Sequence, residues 1–322
     1  MAAARRRVHP RLRNVAHLTA FLARRALGAL WALIGVEIVV FLILHLTGDP
    51  TSVMMPPEST AAELAAFRHA QGFDRPLIVQ FASFALSASR GDLGLSLRHQ
   101  EPAMTLALAR LPATALLGSA AFAIVLLVGV PAGVLSALRP RTAIDYAARI
   151  VALVGQSAPT YWIGLMLILL FAVLLGWVPA SGIGDWRNLV LPAATLGFFS
   201  TAKLMRLTRA AMLEVLEADY VRTARAKGLT AWRTVIGHGL RNAWLPIVTQ
   251  LGVELGALLS GAIITETVFA WPGIGRLAVQ AVFERDFPVV EAVVLISATT
   301  FVLLNLAVDL LYAVIDPRIR YA

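Results

Sequence analysis

Apolar residues in this 322-residue chain arrive in long unbroken blocks, and that constrains the fold more than any other feature. A bilayer core about 30 Å thick takes about 20 mostly apolar residues per helix, and several blocks have that length. Lipid offers unpaired backbone N–H and C=O groups no water, so blocks of this kind predict a bundle of membrane-spanning helices. The candidate spans are 26–47, 113–138, 148–175, 189–208, 245–268 and 290–312. The expected fold class is therefore an all-α membrane protein with about six transmembrane helices. Composition agrees: 58% of residues are hydrophobic, only 15% are charged, and mean hydropathy is +0.75. The fourth span ends among charges, Lys203 and Arg206, whose long side chains reach an interface by snorkelling.

Net charge is +9, from 28 Lys and Arg against 19 Asp and Glu. In a soluble domain such an excess would point to nucleic acid; here its distribution along the chain explains it, and nucleic acid is not expected as a partner. One side of the six spans collects 20 Lys and Arg: the N-terminal arm, 139–149, 203–241 and the tail. The other collects eight. Basic residues stay on the cytoplasmic side, so both termini are expected there. The chain then divides into a basic cytoplasmic arm (1–25), a first transmembrane helix (26–47), an extracytoplasmic segment (48–112) and a transmembrane core (113–322) containing a cytoplasmic loop (209–244). The N-terminus has the basic region of a signal peptide. Its apolar stretch is too long and no A-x-A site follows, so it reads as an uncleaved membrane helix.

Several chemistries fall away on inspection. Zero cysteines exclude disulfides, thiolate metal sites and Cys nucleophiles. His9, His17, His45, His69, His99 and His238 lack metal-ligand spacing, and no metal site is assigned. A P-loop requires G-x-x-x-x-G-K-[ST]; the two lysines, Lys203 and Lys227, stand in no such context. No cofactor is expected on this chain.

Two loops are long enough to carry function. The outer one contains Gly48-Asp49-Pro50, Met55-Pro56-Pro57 and a short helix expected around 59–71, with Ser59 or Thr60 as N-cap and Glu63 in its first turn. The inner one reads Glu217-Ala218-Asp219-Tyr220-Val221-Arg222-Thr223-Ala224-Arg225-Ala226-Lys227-Gly228-Leu229, and reaches Leu245-Pro246 sixteen residues later. Acidic residues sit early and basic residues late, as the helix macrodipole favours. Gly228 fits a left-handed C′ position that ends the helix, and Ala218, Ala224 and Ala226 leave room for a close partner. Glu217 is expected to anchor the start of this helix. An ordinary interfacial helix would show the same charge order.

The spacing Glu-Ala, Gly eleven residues after that Glu, then Leu-Pro resembles the EAA loop of binding-protein-dependent ABC importer permeases. Asp219 stands where the general pattern has a second Ala, as in the peptide-importer branch. Other segments resemble the first permease subunit of the dipeptide, oligopeptide and nickel branch: Gly48-Asp49-Pro50 (with Thr47 for the usual Pro), Asp74-Arg75-Pro76-Leu77, Gly91-Asp92-Leu93-Gly94 with Ser96, and Arg110-Leu111-Pro112-Ala113-Thr114. Tyr161-Trp162-Ile163-Gly164, Gly176 to Gly182, Glu266 to Gly275, Asp309-Leu310-Leu311-Tyr312 and Asp316-Pro317-Arg318 continue the series. The resemblance spans roughly 24–322. It implies a permease of the bacterial cytoplasmic (inner) membrane that pairs with a second, homologous permease. Two cytoplasmic ABC ATPase subunits using ATP and Mg would sit below, and an extracytoplasmic substrate-binding protein above. It implies peptide cargo, with nickel as the alternative. It also implies that Glu217, Ala218, Asp219, Arg222, Ala224, Lys227 and Gly228 form the segment that docks on the ATPase, and that Asp74 and Asp92 face the binding protein.

Polar residues inside apolar runs are the remaining candidates. An acidic group at mid-span costs about 2.5–3.5 kcal/mol on insertion scales and usually faces a cavity or the bundle interior. Glu37, Gln156, Gln250, Glu254 and Asn305 therefore either line a translocation path or bond helix to helix. Gly129/Gly133 and Gly252/Gly256 form GxxxG pairs suited to close packing within the bundle. A secondary transporter driven by an ion gradient is the rival class, and would show inverted repeats; none is visible.

Overall fold

In the computed structural model, residues 10–47, 51, 55, 58–230 and 233–315 are described. Gly48-Asp49-Pro50, Pro56-Pro57, Arg5 to Arg7 and the tail segment Asp316-Pro317-Arg318 lie outside them. Among the described residues the chain is helical apart from turns, with one isolated bridge between Leu95 and Pro102.

The first helix, α1 (Pro10–Thr47), runs through most of the basic arm as well as the first span; Pro10 occupies the first turn, where its missing N–H is not needed. In the outer segment, α2 (Ala61–Gln71) opens on a capping box between Thr60 and Glu63 and closes on Gly72 at φ +73. Then α3 (Leu77–Ser89) follows Pro76. The next helix, α4 (Ala103–Leu138), starts ten residues before the expected boundary and carries Pro112 inside it, with a π-helical stretch at Val125–Gly129.

The expected span 148–175 is not one straight helix. It comprises α5 (Ala143–Ser157) and α6 (Thr160–Leu174), which meet at 117°. Pro159 is the cause: it forces Ala158 out of the helical region, to φ −83 and ψ 137. Both pieces nevertheless progress along the same neighbour, α7 (Arg187–Glu217). A Cβ on Gly155 would meet Ala202, and one on Gly164 would meet Thr195, so the chain continues through the bundle across the bend.

At the centre stands α7. Its 31 residues make a rod about 46 Å long at 1.5 Å per residue, packed by α4, α5, α6 and the fifth span, α9 (Arg241–Val268). The contact with α4 is close: a Cβ on Gly133 would lie 2.6 Å from the Met205 carbonyl, the role foreseen for the first GxxxG pair. Length and composition alone mark three described helices as able to cross a membrane, or five if each bent pair is one span. The remaining expected span, 189–208, lies within α7, whose Lys203, Arg206 and Arg209 lower its hydropathy. Two of those charges are paired inside the bundle, as described below.

After α7 come the short α8 (Asp219–Ala226), a π-helical stretch Thr234–Leu240 leading into α9, then α10 (Ile274–Glu284) and α11 (Phe287–Ile315). The segments Arg110 to Thr114 and Glu266 to Gly275 prove to be one structure. Buried Trp271 donates from Nε1 to the Ala113 carbonyl at 2.9 Å. The Thr114 hydroxyl donates to Glu266 Oε1 at 2.6 Å, and the Arg276 N–H donates to Oε2 at 2.9 Å. Glu266 thus supplies acceptors for the start of α10 from another helix.

Candidate functional site

The segment from Glu217 to Leu245 has the predicted form, a short helix, a glycine break and a helix entering the bundle, with one displacement. Glu217 is the last residue of α7, Ala218 is extended (φ −69, ψ 146), and Asp219 opens α8. Glu217 therefore ends the long rod rather than starting the short helix. Gly228 has φ +81, and the Leu229 N–H bonds the Ala224 carbonyl at 3.3 Å, the 6→1 bond of a Schellman ending. A Cβ on Gly228 would meet no atom within 4 Å, so backbone conformation alone demands glycine there.

α8 has two faces. Val221 and Ala224 are buried, packed towards α7 and the Thr234–Leu240 stretch. Ala224 is thus turned inward and supports the helix instead of belonging to its outer surface. Glu217, Asp219, Tyr220, Arg222, Lys227 and Gly228 are exposed, and Asp219 and Arg222 approach to 3.6 Å. Tyr220, which the sequence reading passed over, adds an exposed aromatic ring to this surface.

Two turns above Glu217 lies a polar cluster that the sequence reading missed. Arg209 holds Asp145 with two hydrogen bonds, Nε to Oδ1 at 2.7 Å and Nη2 to Oδ2 at 3.1 Å. The Ser136 hydroxyl donates to Oδ1 at 2.7 Å, and the Arg141 N–H donates to Oδ2 at 3.0 Å. Asp145 and Ser136 are wholly covered. In the sequence, Asp145 looks like an acidic residue in a helix's first turn and Arg209 like one more basic residue of an inner loop.

Further into the bundle, Glu254 is buried and fully partnered. It accepts from Ser200 and Gln250, and its Oε1 lies 3.0 Å from Lys203 Nζ. Of the candidate path residues, then, Glu254 and Gln250 serve a contact between α9 and α7, and half-exposed Lys203 is the member that reaches the surface. Glu37 is partly buried on α1 near Glu291 of α11. Gln156 buries an unpartnered amide nitrogen. Asn305 is exposed and bonds back to the Phe301 carbonyl. The structure does not bring these five side chains to one place.

In the segment between α1 and α4, Asp74 accepts from His69 at 2.6 Å, which holds its carboxyl below the usual carboxylate range. The Thr60 N–H and hydroxyl do the same for Glu63. Asp92 accepts from the Gly94 N–H at 3.1 Å. Both Asp74 and Asp92 thus close local turns. Ser96, from the same landmark as Asp92, donates to buried Asp286, which ties the outer segment to the turn between α10 and α11.

Comparison with known proteins gives a consistent picture. The family described as binding-protein-dependent transport system inner membrane component matches residues 129–321, and the N-terminal domain of such membrane components matches residues 18–118. The oligopeptide transport system permease protein AppB of Bacillus subtilis is 39% identical over 316 residues, covering 94% of this chain and all of that one. The glutathione transport system permease protein GsiC of Escherichia coli K12 is 40% identical over 302 residues, covering 94% and 99%. Among solved structures, the inward-facing MetNI methionine ABC transporter aligns with a TM-score of 0.53 at 19% identity, over 66% of this chain and 97% of that chain. At that identity the likeness speaks for the fold.

Proposed function

The chain belongs to the family of binding-protein-dependent transport system inner membrane components, and from that premise we propose that it is a permease subunit of an ATP-driven importer of short peptides. The observation that carries this reading is end-to-end similarity to two permeases whose named cargoes, oligopeptides and glutathione, are both peptides. In this reading ATP and Mg belong to separate ATPase subunits, which the absence of a G-x-x-x-x-G-K-[ST] pattern from the sequence supports. Both termini, and with them α8, are cytoplasmic in this reading, which the Lys and Arg imbalance supports. The exposed face of α8 around Tyr220, with Glu217, Asp219, Arg222, Lys227 and Gly228, docks on an ATPase. A second, homologous permease completes the path, and a binding protein delivers cargo to the outer segment, where Asp74 and Asp92 shape the landing turns.

In this mechanism the chain performs no covalent chemistry. Closure of the ATPase pair moves α8, α8 moves the end of α7, and the bundle shifts between inward-open and outward-open. Binding energy is spent on changing the balance of two packed states. The test is uptake of a labelled di- or tripeptide into liposomes holding the chain alone or the chain with its partner subunits. ATP-dependent uptake only in the complete complex is expected. Uptake by the chain alone without ATP would overturn the reading.

A further inference from the structure

The rod α7 ends directly in the segment that meets the ATPase, with the single extended residue Ala218 between α7 and α8. A force applied at α8 therefore arrives first at the last turns of α7. The first polar tie it meets there is the Arg209 cluster. One carboxylate, Asp145, gathers a guanidinium from α7, a hydroxyl from the last turn of α4 and an N–H from the turn before α5. Arg209 Nε also lies 3.1 Å from the Ser136 oxygen.

An arginine at a membrane boundary needs no partner, because its long side chain reaches water by itself. Here the Arg209 side chain is only 25% exposed and its guanidinium is engaged by both carboxylate oxygens. A planar two-bond pairing sets an angle as well as a distance, which a point charge does not. One turn higher, the close approach of Gly133 to Met205 and Thr208 prevents α4 from sliding on α7. The cytoplasmic ends of α4, α5 and α7 are thus joined by packing above and by charge-assisted hydrogen bonds below.

We propose that the Asp145–Arg209 pair, with Ser136, is the positioning contact through which motion of α8 reaches the membrane helices. It locks the inner ends of α4 and α5 to α7, so that the three move as one body. The proposal rests on the docking role given to α8 above.

The test uses the complete complex in liposomes with Asp145→Asn, Arg209→Gln, the double variant and Arg209→Lys, the last keeping the charge and losing the fork. ATPase co-purification and ATP hydrolysis are expected to persist, while peptide taken up per ATP falls about tenfold or more, within the range of ordinary coupling free energies. A purely structural role would lower the amount of permease, and uptake and hydrolysis together, at an unchanged ratio. An unchanged ratio in the double variant overturns the proposal. A second measurement leaves the pair intact. The chain has no cysteine, so Leu138→Cys and Ala210→Cys take spin labels on α4 and α7. Their distance should change by less than about 2 Å, the scale of a packed-helix shift, between resting and ATP-plus-vanadate states. A larger change shows that the helices move apart and overturns the proposal. Failure of the functional reading shows itself separately, as absent ATP-driven uptake in the wild-type complex.

Discussion

Two glycines of this chain are required for opposite reasons, and they separate folding from function. Gly228 is required by its φ of +81 in open space; Gly133 is required by a neighbouring backbone oxygen only 2.6 Å from where a Cβ would sit. Gly228→Ala should cost about 1–2 kcal/mol of local backbone strain and re-aim α8, with Gly228→Asn milder because Asn tolerates the left-handed region. The amount of permease in the membrane should stay unchanged while ATPase co-purification and uptake fall. Full retention of both in Gly228→Ala would remove α8 from the docking surface. Gly133→Ala should instead destabilise the bundle by about 1–3 kcal/mol through overpacking, read as a lower unfolding temperature of the solubilised protein. An unshifted temperature would mean that α4 and α7 approach less closely than described.

At the scale of an element, α10 is set in place by a residue that is not its own. Glu266 at the end of α9 accepts from Thr114 on α4 and from the Arg276 N–H in the first turn of α10. Glu266→Ala leaves these buried donors without an acceptor, at about 1–3 kcal/mol each. Amide exchange at Ile274 to Arg276 should accelerate by about tenfold or more, since 1.4 kcal/mol is a factor of ten, while α2 and α3 keep their rates. Uniform acceleration across the chain would show that Glu266 holds the whole bundle and not this helix start. The capping box of α2 belongs to the same scale and was readable from Thr60 and Glu63 alone, because both partners lie within one turn. Glu266 and Thr114 stand 152 residues apart, and no local spacing announces that bond.

The whole molecule is a bundle whose most central helix is its least apolar span. That is possible because two of its basic residues reach towards the surface while pairing with buried carboxylates of neighbouring helices, Lys203 with Glu254 and Arg209 with Asp145; a buried carboxylate left without a partner inside the bundle is expensive. The side assignment is open to a direct check in the cysteine-free chain. A single Lys227→Cys should react with a membrane-impermeant thiol reagent only from the cytoplasmic side, and Asp92→Cys only from outside. The reverse pattern would invert the topology and place α8 where no ATPase reaches it.

The long apolar blocks alone determined that this chain is a helical membrane bundle, because bilayer thickness and the need to pair every backbone group act on composition and length. The turn at Gly228 was equally legible, and so was an N-cap at Ser59 or Thr60, each being decided within a few residues; the structure chose Thr60. Only the tertiary structure decided which polar side chains meet. It joined Asp145 to Arg209, enclosed Glu254, which had stood as a candidate for the path, and turned Ala224 inward. It also placed Glu217 at the end of α7 and bent the third span at Pro159. The reason is physical: a buried charge is satisfied by whatever helix packing brings beside it, and the register of that packing depends on glycine contacts and bends spread over the whole chain.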